Sequence, residues 1–326
     1  MSIPASNSPV RLALIGAGRW GRNYIRAIAG LPGAALVRLA SANPDSRALV
    51  PPDCVVDADW HAVIAAPEVE AVIVATPPAT HAGIALAAIA AGKAVLVEKP
   101  LTLDLAEAEG IAAAARAAGV MVWVEHTQLF NPAWSALKAA LPAIGPIRAI
   151  RSQAGNHGPY RKGGVPMLWD WGAHDVAMVL DLMGGDPDRI STVWAVRGEK
   201  DGGEAGDVTL TLRFGEVDAS TRLCNTMDKC RRFAVHGTGG ILLFDDLATD
   251  KLSLHPPNPD FGWPTGPGRA LAVTSEMPLS RAVRMFAEAI RSPEPGPSPL
   301  ELGVRVVRLL HACNGGGPPI YRAETV

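Results

Sequence analysis

Along residues 10–125 the chain alternates short apolar runs with stretches of helical periodicity. The runs cover residues 11–15, 35–40, 71–75, 95–97 and 120–124. Between them apolar residues recur at helical spacing, at Tyr24, Ile25, Ala27 and Ile28 and then over 81–91 and 105–118. Gly92 and Gly119 end the last two helices. Strands that are apolar throughout and alternate with helices predict a doubly wound parallel sheet covered on both faces.

Beyond residue 128 the pattern changes. A helix over 131–140 leads into a strand at 147–153, a polar, Gly-rich loop follows at 155–164, and an apolar helix covers 176–183. Strand-like runs then stand at 190–197, 208–214, 218–224, 232–236 and 241–244, with short turns between them. Such a series predicts an α+β domain with a mainly antiparallel sheet, covered by helices on one face. Residues 256–268, rich in Pro and Gly, read as a long loop, and helices at 280–291 and 300–313 close the chain. The expected domains are 1–127 and 128–326. Alternating Val208, Leu210 and Leu212 offer an apolar face to a second subunit, so a homodimer or homotetramer is expected.

Composition narrows the function classes. At 326 residues, 48% hydrophobic and 19% charged, the chain can bury a large core in about two domains. A net charge of −2 gives no basic excess for nucleic acid. No apolar run approaches the roughly 18 residues of a membrane span. Residues 1–9 are polar and lack a signal pattern, and the four cysteines (Cys54, Cys224, Cys230, Cys313) form no CxxC pair. The expectation is a cytoplasmic protein with reduced structural thiols.

The candidate chemistry lies at strand ends. Gly16-Ala17-Gly18-Arg19-Trp20-Gly21 follows the first strand and opens the first helix, the context in which GxGxxG binds a dinucleotide. Gly16 allows the tight turn, Gly18 lets backbone approach a pyrophosphate, and Gly21 lets helix and strand pack closely. After the second strand, Ser41 or Ala42 stands where an acidic residue would hold the ribose 2′-OH of NAD. Without that charge a 2′-phosphate is not repelled, and Ser41, Asn43 and Arg47 are candidate ligands for it. This leans to NADP over NAD, although Asp45 lies close by; the same residues also suit a helix cap. The fourth run ends in Glu98-Lys99-Pro100, which places Lys99 at the sheet's carboxyl edge, where open α/β sheets bind ligands. The next strand ends in Glu125-His126-Thr127-Gln128, again polar. In the second half Asp170 and His174, four apart at a helix start, share a face and can reach one substrate group. Asp175 is read only as favouring that helix N-terminus. No third ligand sits at metal spacing, so no metal is expected.

With these residues in place the chain resembles the glucose-fructose oxidoreductase / inositol dehydrogenase / rhizopine-catabolism (Gfo/Idh/MocA) family. The resemblance rests on the glycine motif, Ala75-Thr76-Pro77-Pro78-Ala79-Thr80-His81, Glu98-Lys99-Pro100 and Asp170-Trp171-Gly172-Ala173-His174. It implies an N-terminal Rossmann domain and a C-terminal domain whose open sheet serves oligomerisation. It also implies NAD or NADP, and redox chemistry at a carbinol carbon of a sugar, cyclitol or nucleotide sugar held between the domains. By analogy Lys99, Asp170 and His174 form the catalytic group. Gly16, Gly18, Arg19, Trp20, Gly21, Ala75, Thr76, Pro77, His81, Glu98, Lys99 and Pro100 serve the cofactor with Ser41, Asn43 and Arg47, and Lys99-Pro100 is a candidate cis peptide. Two other readings of the fold are an NAD-dependent glycoside hydrolase and a non-catalytic binding regulator.

Overall fold

The computed structural model describes residues 8–158, 165–201, 203–292 and 299–315. Residues 1–7, read above as part of a signal-free N-terminus, and 159–164 of the expected loop lie outside them. The chain forms two compact units. The first comprises residues 1–127 and 277–307, the second 128–276 and 308–326.

The first unit runs β1 (Val10–Ile15), α1 (Gly21–Ala29), β2 (Ala34–Ala40), β3 (Val55–Asp57), α2 (Trp60–Ala65), β4 (Ala71–Val74), α3 (His81–Ala90), β5 (Ala94–Glu98), α4 (Leu105–Ala118) and β6 (Val122–Glu125). All strand pairs are parallel, in the order β3-β2-β1-β4-β5-β6. The doubly wound sheet is therefore as expected. β4 and most of β1 and β5 are buried, which explains their unbroken apolar runs. Strand order reverses between β1 and β4, the place where such sheets leave a crevice for ligands. Pro44–Leu49 forms a 3₁₀ turn after β2, capped by the Asn43 side chain, which accepts from the Asp45 N–H at 2.9 Å.

The second unit begins with α5 (Pro132–Ala140), β7 (Ile147–Gly155), α6 (Met167–Asp170) and α7 (Gly172–Met183). Its strands continue as β8 (Arg189–Lys200), β9 (Gly203–Phe214), β10 (Val217–Cys224), β11 (Cys230–Gly237), β12 (Ile241–Asp245), β13 (Leu252–His255) and β14 (Arg269–Ala270). The sheet order is β14-β13-β12-β11-β7-β10-β9-β8. Only β7 and β10 pair in parallel, so the sheet is mixed but mainly antiparallel. α5, α6 and α7 pack against it. Val208, Leu210 and Leu212 of β9, expected to face a second subunit, are 0–1% exposed within the chain itself. The intervening Thr209, Thr211 and Arg213 are half-buried, so the less covered face of this strand is polar.

The units part at 127/128, and the second does not run unbroken to the C-terminus. α8 (Pro278–Arg291) and the first half of α9 (Leu300–Cys313) belong to the first unit. The cause is an amphipathic helix with a partner already in place. Phe286 packs on Trp123 of β6 at 5.7 Å between ring centroids, and Arg291 pairs with Glu70 at 2.7 Å.

Candidate active site

In the first unit, four loops converge at the carboxyl edge of the sheet. Gly16 N–H donates to Ala40 O (3.0 Å) and Ala75 N–H to Ile15 O (2.9 Å), which laces the ends of β1, β2 and β4 together. Gly16 has φ +101°, and a Cβ there would stand 2.8 Å from Ala75 O; neither the turn nor the contact admits a side chain. A Cβ on Gly21 would run into Gly16 O, so this glycine sets how closely helix and strand approach. Gly18 is the opposite case, with open space where its Cβ would be. A groove of about 710 Å³ lies there, lined by Gly18, Arg19, Trp20 and the outer side of α1. The N–H groups of Gly18, Arg19, Trp20 and Gly21 donate to no other described residue. Open space over a glycine, free N–H groups and a helix N-terminus fit a pyrophosphate.

The residues proposed for a 2′-phosphate are differently disposed. Arg47 donates to the carbonyls of Cys54 (2.6 Å), Pro51 (3.1 Å) and Pro52 (2.7 Å), so its guanidinium staples the following loop. Ser41 shares a hydrogen bond with Ser46 (2.8 Å), and Asn43 caps the turn. Arg19 is exposed on the glycine turn.

His81 is fully buried at the start of α3. Its ring nitrogens lie 3.0 Å from Pro100 O and 2.9 Å from Thr76 O. It thus ties the Thr76 loop to the Lys99–Pro100 turn from beneath rather than presenting its ring to a ligand, and burial lowers its pKa. The Lys99–Pro100 bond is cis. Lys99 is half-buried, Thr76 is half-buried and Pro77 is exposed, while Ala75 and Pro100 are buried.

Glu98 is buried too. Parallel pairing sets it opposite Glu125 at the end of β6, and Tyr24 of α1 lies against the pair. Thr127 donates to Glu125 at 2.7 Å, but Oε1 of each carboxyl has no hydrogen-bond partner. Burial pushes the Glu125 carboxyl up to about 7 and Glu98 well above the usual carboxylate range. The charge of Lys99 pulls both back down. Two buried carboxyls side by side cannot both ionise cheaply, so the pair holds a proton near neutral pH. Sequence reading missed this pairing. Its only signal was that both strands end on Glu.

In the second unit, Asp170 ends α6 and His174 is the third residue of α7, both half-buried. The junction at Trp171 keeps helical angles (φ −90°, ψ −40°), so the i, i+4 relation survives the break. The His174 N–H donates to Trp171 O at 3.0 Å, a three-residue bond that tightens the turn. Asp175 is buried and faces Ser152 of β7, and burial pushes its carboxyl up to about 6. It stands in the first turn of α7, the helix start expected from sequence, but as an interior acid. A small cavity beside His174 and Asp175 also takes in Gln128, Met178, Arg231 and Asp246.

Comparison with known proteins agrees with this geometry. Residues 10–126 match the model of an oxidoreductase family with an NAD-binding Rossmann fold, and residues 138–243 match a GFO/IDH/MocA C-terminal domain. A crystal structure of a protein from Magnetospirillum magnetotacticum MS-1 is 78% identical, covers 94% of this chain and 100% of its own, and superposes with a TM-score of 0.91. Inositol 2-dehydrogenase of Rhizobium meliloti (strain 1021) is 28% identical over 77% of this chain and 82% of its own. UDP-N-acetylglucosamine 3-dehydrogenase of Acidithiobacillus ferrooxidans, 22% identical over 94% and 97% of the two chains, shares the fold at a TM-score of 0.80.

Proposed function

Because the chain belongs to the Gfo/Idh/MocA oxidoreductase family, we propose that it is an NAD(P)-dependent dehydrogenase or reductase of a carbinol or carbonyl carbon in a sugar, cyclitol or nucleotide sugar. The observation that carries this reading is the convergence of the glycine turn, the Thr76 loop and Lys99 on one sheet edge. The names of the inositol and nucleotide-sugar relatives support a polyhydroxylated substrate. When bound, the nicotinamide supplies the acceptor or donor of a hydride.

The chain's own residues do the rest. The turn from Gly16 to Gly21 holds the pyrophosphate with backbone N–H groups. The loop after β2 repels no 2′-phosphate, and the exposed Arg19 is the cation on the glycine turn, so the reading leans to NADP. Lys99 donates a hydrogen bond to the reacting oxygen and stabilises negative charge developing there. His174 takes the hydroxyl proton during oxidation and returns it during reduction. Asp170 orients the substrate or tunes His174. Lys99 and His174 are the two candidates for the final proton carrier. Val193 and Val196 on edge strand β8, 64% and 48% exposed, support a homo-oligomer.

The test is an absorbance screen at the NAD(P)H band with sugars, cyclitols and nucleotide sugars, each with NAD and with NADP. Reduction or oxidation of the cofactor with one compound class is the expected result. Silence across the panel would move the reading to a hydrolase that regenerates its cofactor, or to a binding protein.

A further inference from the structure

The groove over Gly18 is longer than a pyrophosphate requires. It takes in Arg19, Arg22 and Arg26 on the outer side of α1 and reaches Leu49. Leu49 is the last residue of the 3₁₀ turn that follows β2. The groove therefore spans α1 and the segment after β2, the region in which a Rossmann fold tells NADP from NAD. Its volume of about 710 Å³ has room for a nucleoside phosphate, and none of its lining residues is acidic. Asp45 of the same turn is not among them.

The three arginines are not equivalent. Arg26 lies in the last turn of α1, where a cation complements the helix dipole, and it donates to the Asn23 side chain. It has a structural task. Arg19 and Arg22 have none: both are exposed, and among the described residues their guanidiniums make no hydrogen bond and no ion pair. Arg22 stands in the first turn of α1, which carries no acidic residue. A cation there opposes the positive end of the helix. The Arg22 N–H donates to Gly18 O at 3.1 Å, so helical geometry reaches back across Arg19 and sets the two arginines on one face. Like charges at that spacing destabilise a helix, and a bound anion turns the same arrangement favourable. The loop after β2 supplies no competing cation. Arg47 is tied to three carbonyls, and the Ser41 and Asn43 side chains are engaged within the loop.

We propose that Arg22, together with Arg19, holds the 2′-phosphate of NADP, so that cofactor choice is made from α1 and not from the loop after β2. A phosphate monoester offers three oxygens, enough for a guanidinium fork from each arginine. This inference rests on the dinucleotide reading above and deepens it, with Arg22 as the residue that selects NADP.

The test uses the full-length protein and calorimetry, which needs no turnover. The probes are adenosine 2′,5′-bisphosphate and adenosine 5′-monophosphate, which differ only in the 2′-phosphate. Wild type should bind the bisphosphate at least about tenfold more tightly. R22Q should lose most of that preference and bind the monophosphate within about twofold of wild type. R22K, which keeps the charge without the fork, should retain part of the preference, and R26Q should keep it. Thermal melting shows whether each variant is folded. An intact preference in folded R22Q, or an equal loss of both probes in R22Q, would overturn the proposal. Equal binding of the two probes by wild type would refute the role of Arg22 and leave the dinucleotide reading standing. Failure of the wild type to bind either probe, NAD or NADP would refute that reading itself.

Discussion

The two units place their candidate chemistry in opposite ways. In the first, polar groups sink into the edge of a parallel sheet. Glu98, Glu125 and His81 are all buried; the two carboxyls end neighbouring strands, and His81 ties the Thr76 loop to the Lys99–Pro100 turn. In the second, Asp170 and His174 sit half-buried on consecutive helices, and His174 lines a small cavity. A parallel sheet fixes which strand ends are neighbours, so its polar termini form a rigid base with protonation set by burial. A helix surface leaves its side chains reachable, which suits groups that meet and release substrate.

The largest effect is expected where that base meets the ligand. Lys99→Ala should lower turnover by a factor on the order of 10² to 10⁴, with dinucleotide affinity nearly unchanged, because the pyrophosphate is held by backbone. His174→Asn should cost turnover in the same range. Steady-state rates beside a fluorescence titration with NAD(P)H separate the two quantities. If Lys99→Ala keeps its turnover, the lysine has no part in the chemistry and the contrast between the units collapses.

A smaller effect tests the buried carboxyls. Both are raised above the unfolded value, so the folded protein retains protons that the unfolded chain gives up. Stability is then greatest below the unfolded pKa and falls as pH rises through the folded one. For Glu125 the window runs from 4.5 to about 7. Its size is at most roughly 3.5 kcal/mol, since one pKa unit is worth about 1.4. Glu125→Gln cannot ionise, so it should lose less stability than wild type between pH 5 and pH 8. Asp175 in the second unit has a lower window, from 3.8 to about 6, and Asp175→Asn should lose less stability than wild type as pH rises across it. Melting curves across pH decide this. Parallel losses in wild type and Glu125→Gln would mean that the pair carries no extra proton.

What the sequence revealed follows the same division. The glycine turn was legible because its residues are adjacent and each has a local steric task. β5 was legible because a fully buried strand needs no partner to look apolar. The Glu98–Glu125 pair was not legible, since periodicity does not say which strands become neighbours. α8 was readable as a helix, but its return to β6 rests on Phe286 meeting Trp123, a contact between residues far apart in the chain. β3, β13 and β14, of two to four residues, and the six-residue α2 are too short to show a period.

The smallest effect concerns a residue whose sequence reading the structure changes. Arg47 follows the second strand in a loop without the acidic residue of an NAD site, and a cation there reads naturally as a partner for a 2′-phosphate. Its guanidinium instead donates to three backbone carbonyls, at Pro51, Pro52 and Cys54. To reach a phosphate it would have to give up all three carbonyls, of which Pro51 O also accepts from the Cys54 N–H at 3.1 Å. Arg47→Ala should therefore destabilise the loop by about 1 kcal/mol, the net worth of an ordinary hydrogen bond or two. The ratio of NADP to NAD affinity should stay within about twofold, because no contact to a 2′-phosphate is lost. Arg19, exposed on the glycine turn with no such tether, is the control, and Arg19→Ala should lower that ratio by about tenfold. Titration of both cofactors against the two variants gives the answer. A large drop in NADP affinity for Arg47→Ala, with Arg19→Ala unaffected, would mean that the guanidinium leaves its carbonyls for the phosphate and that this loop rearranges on binding.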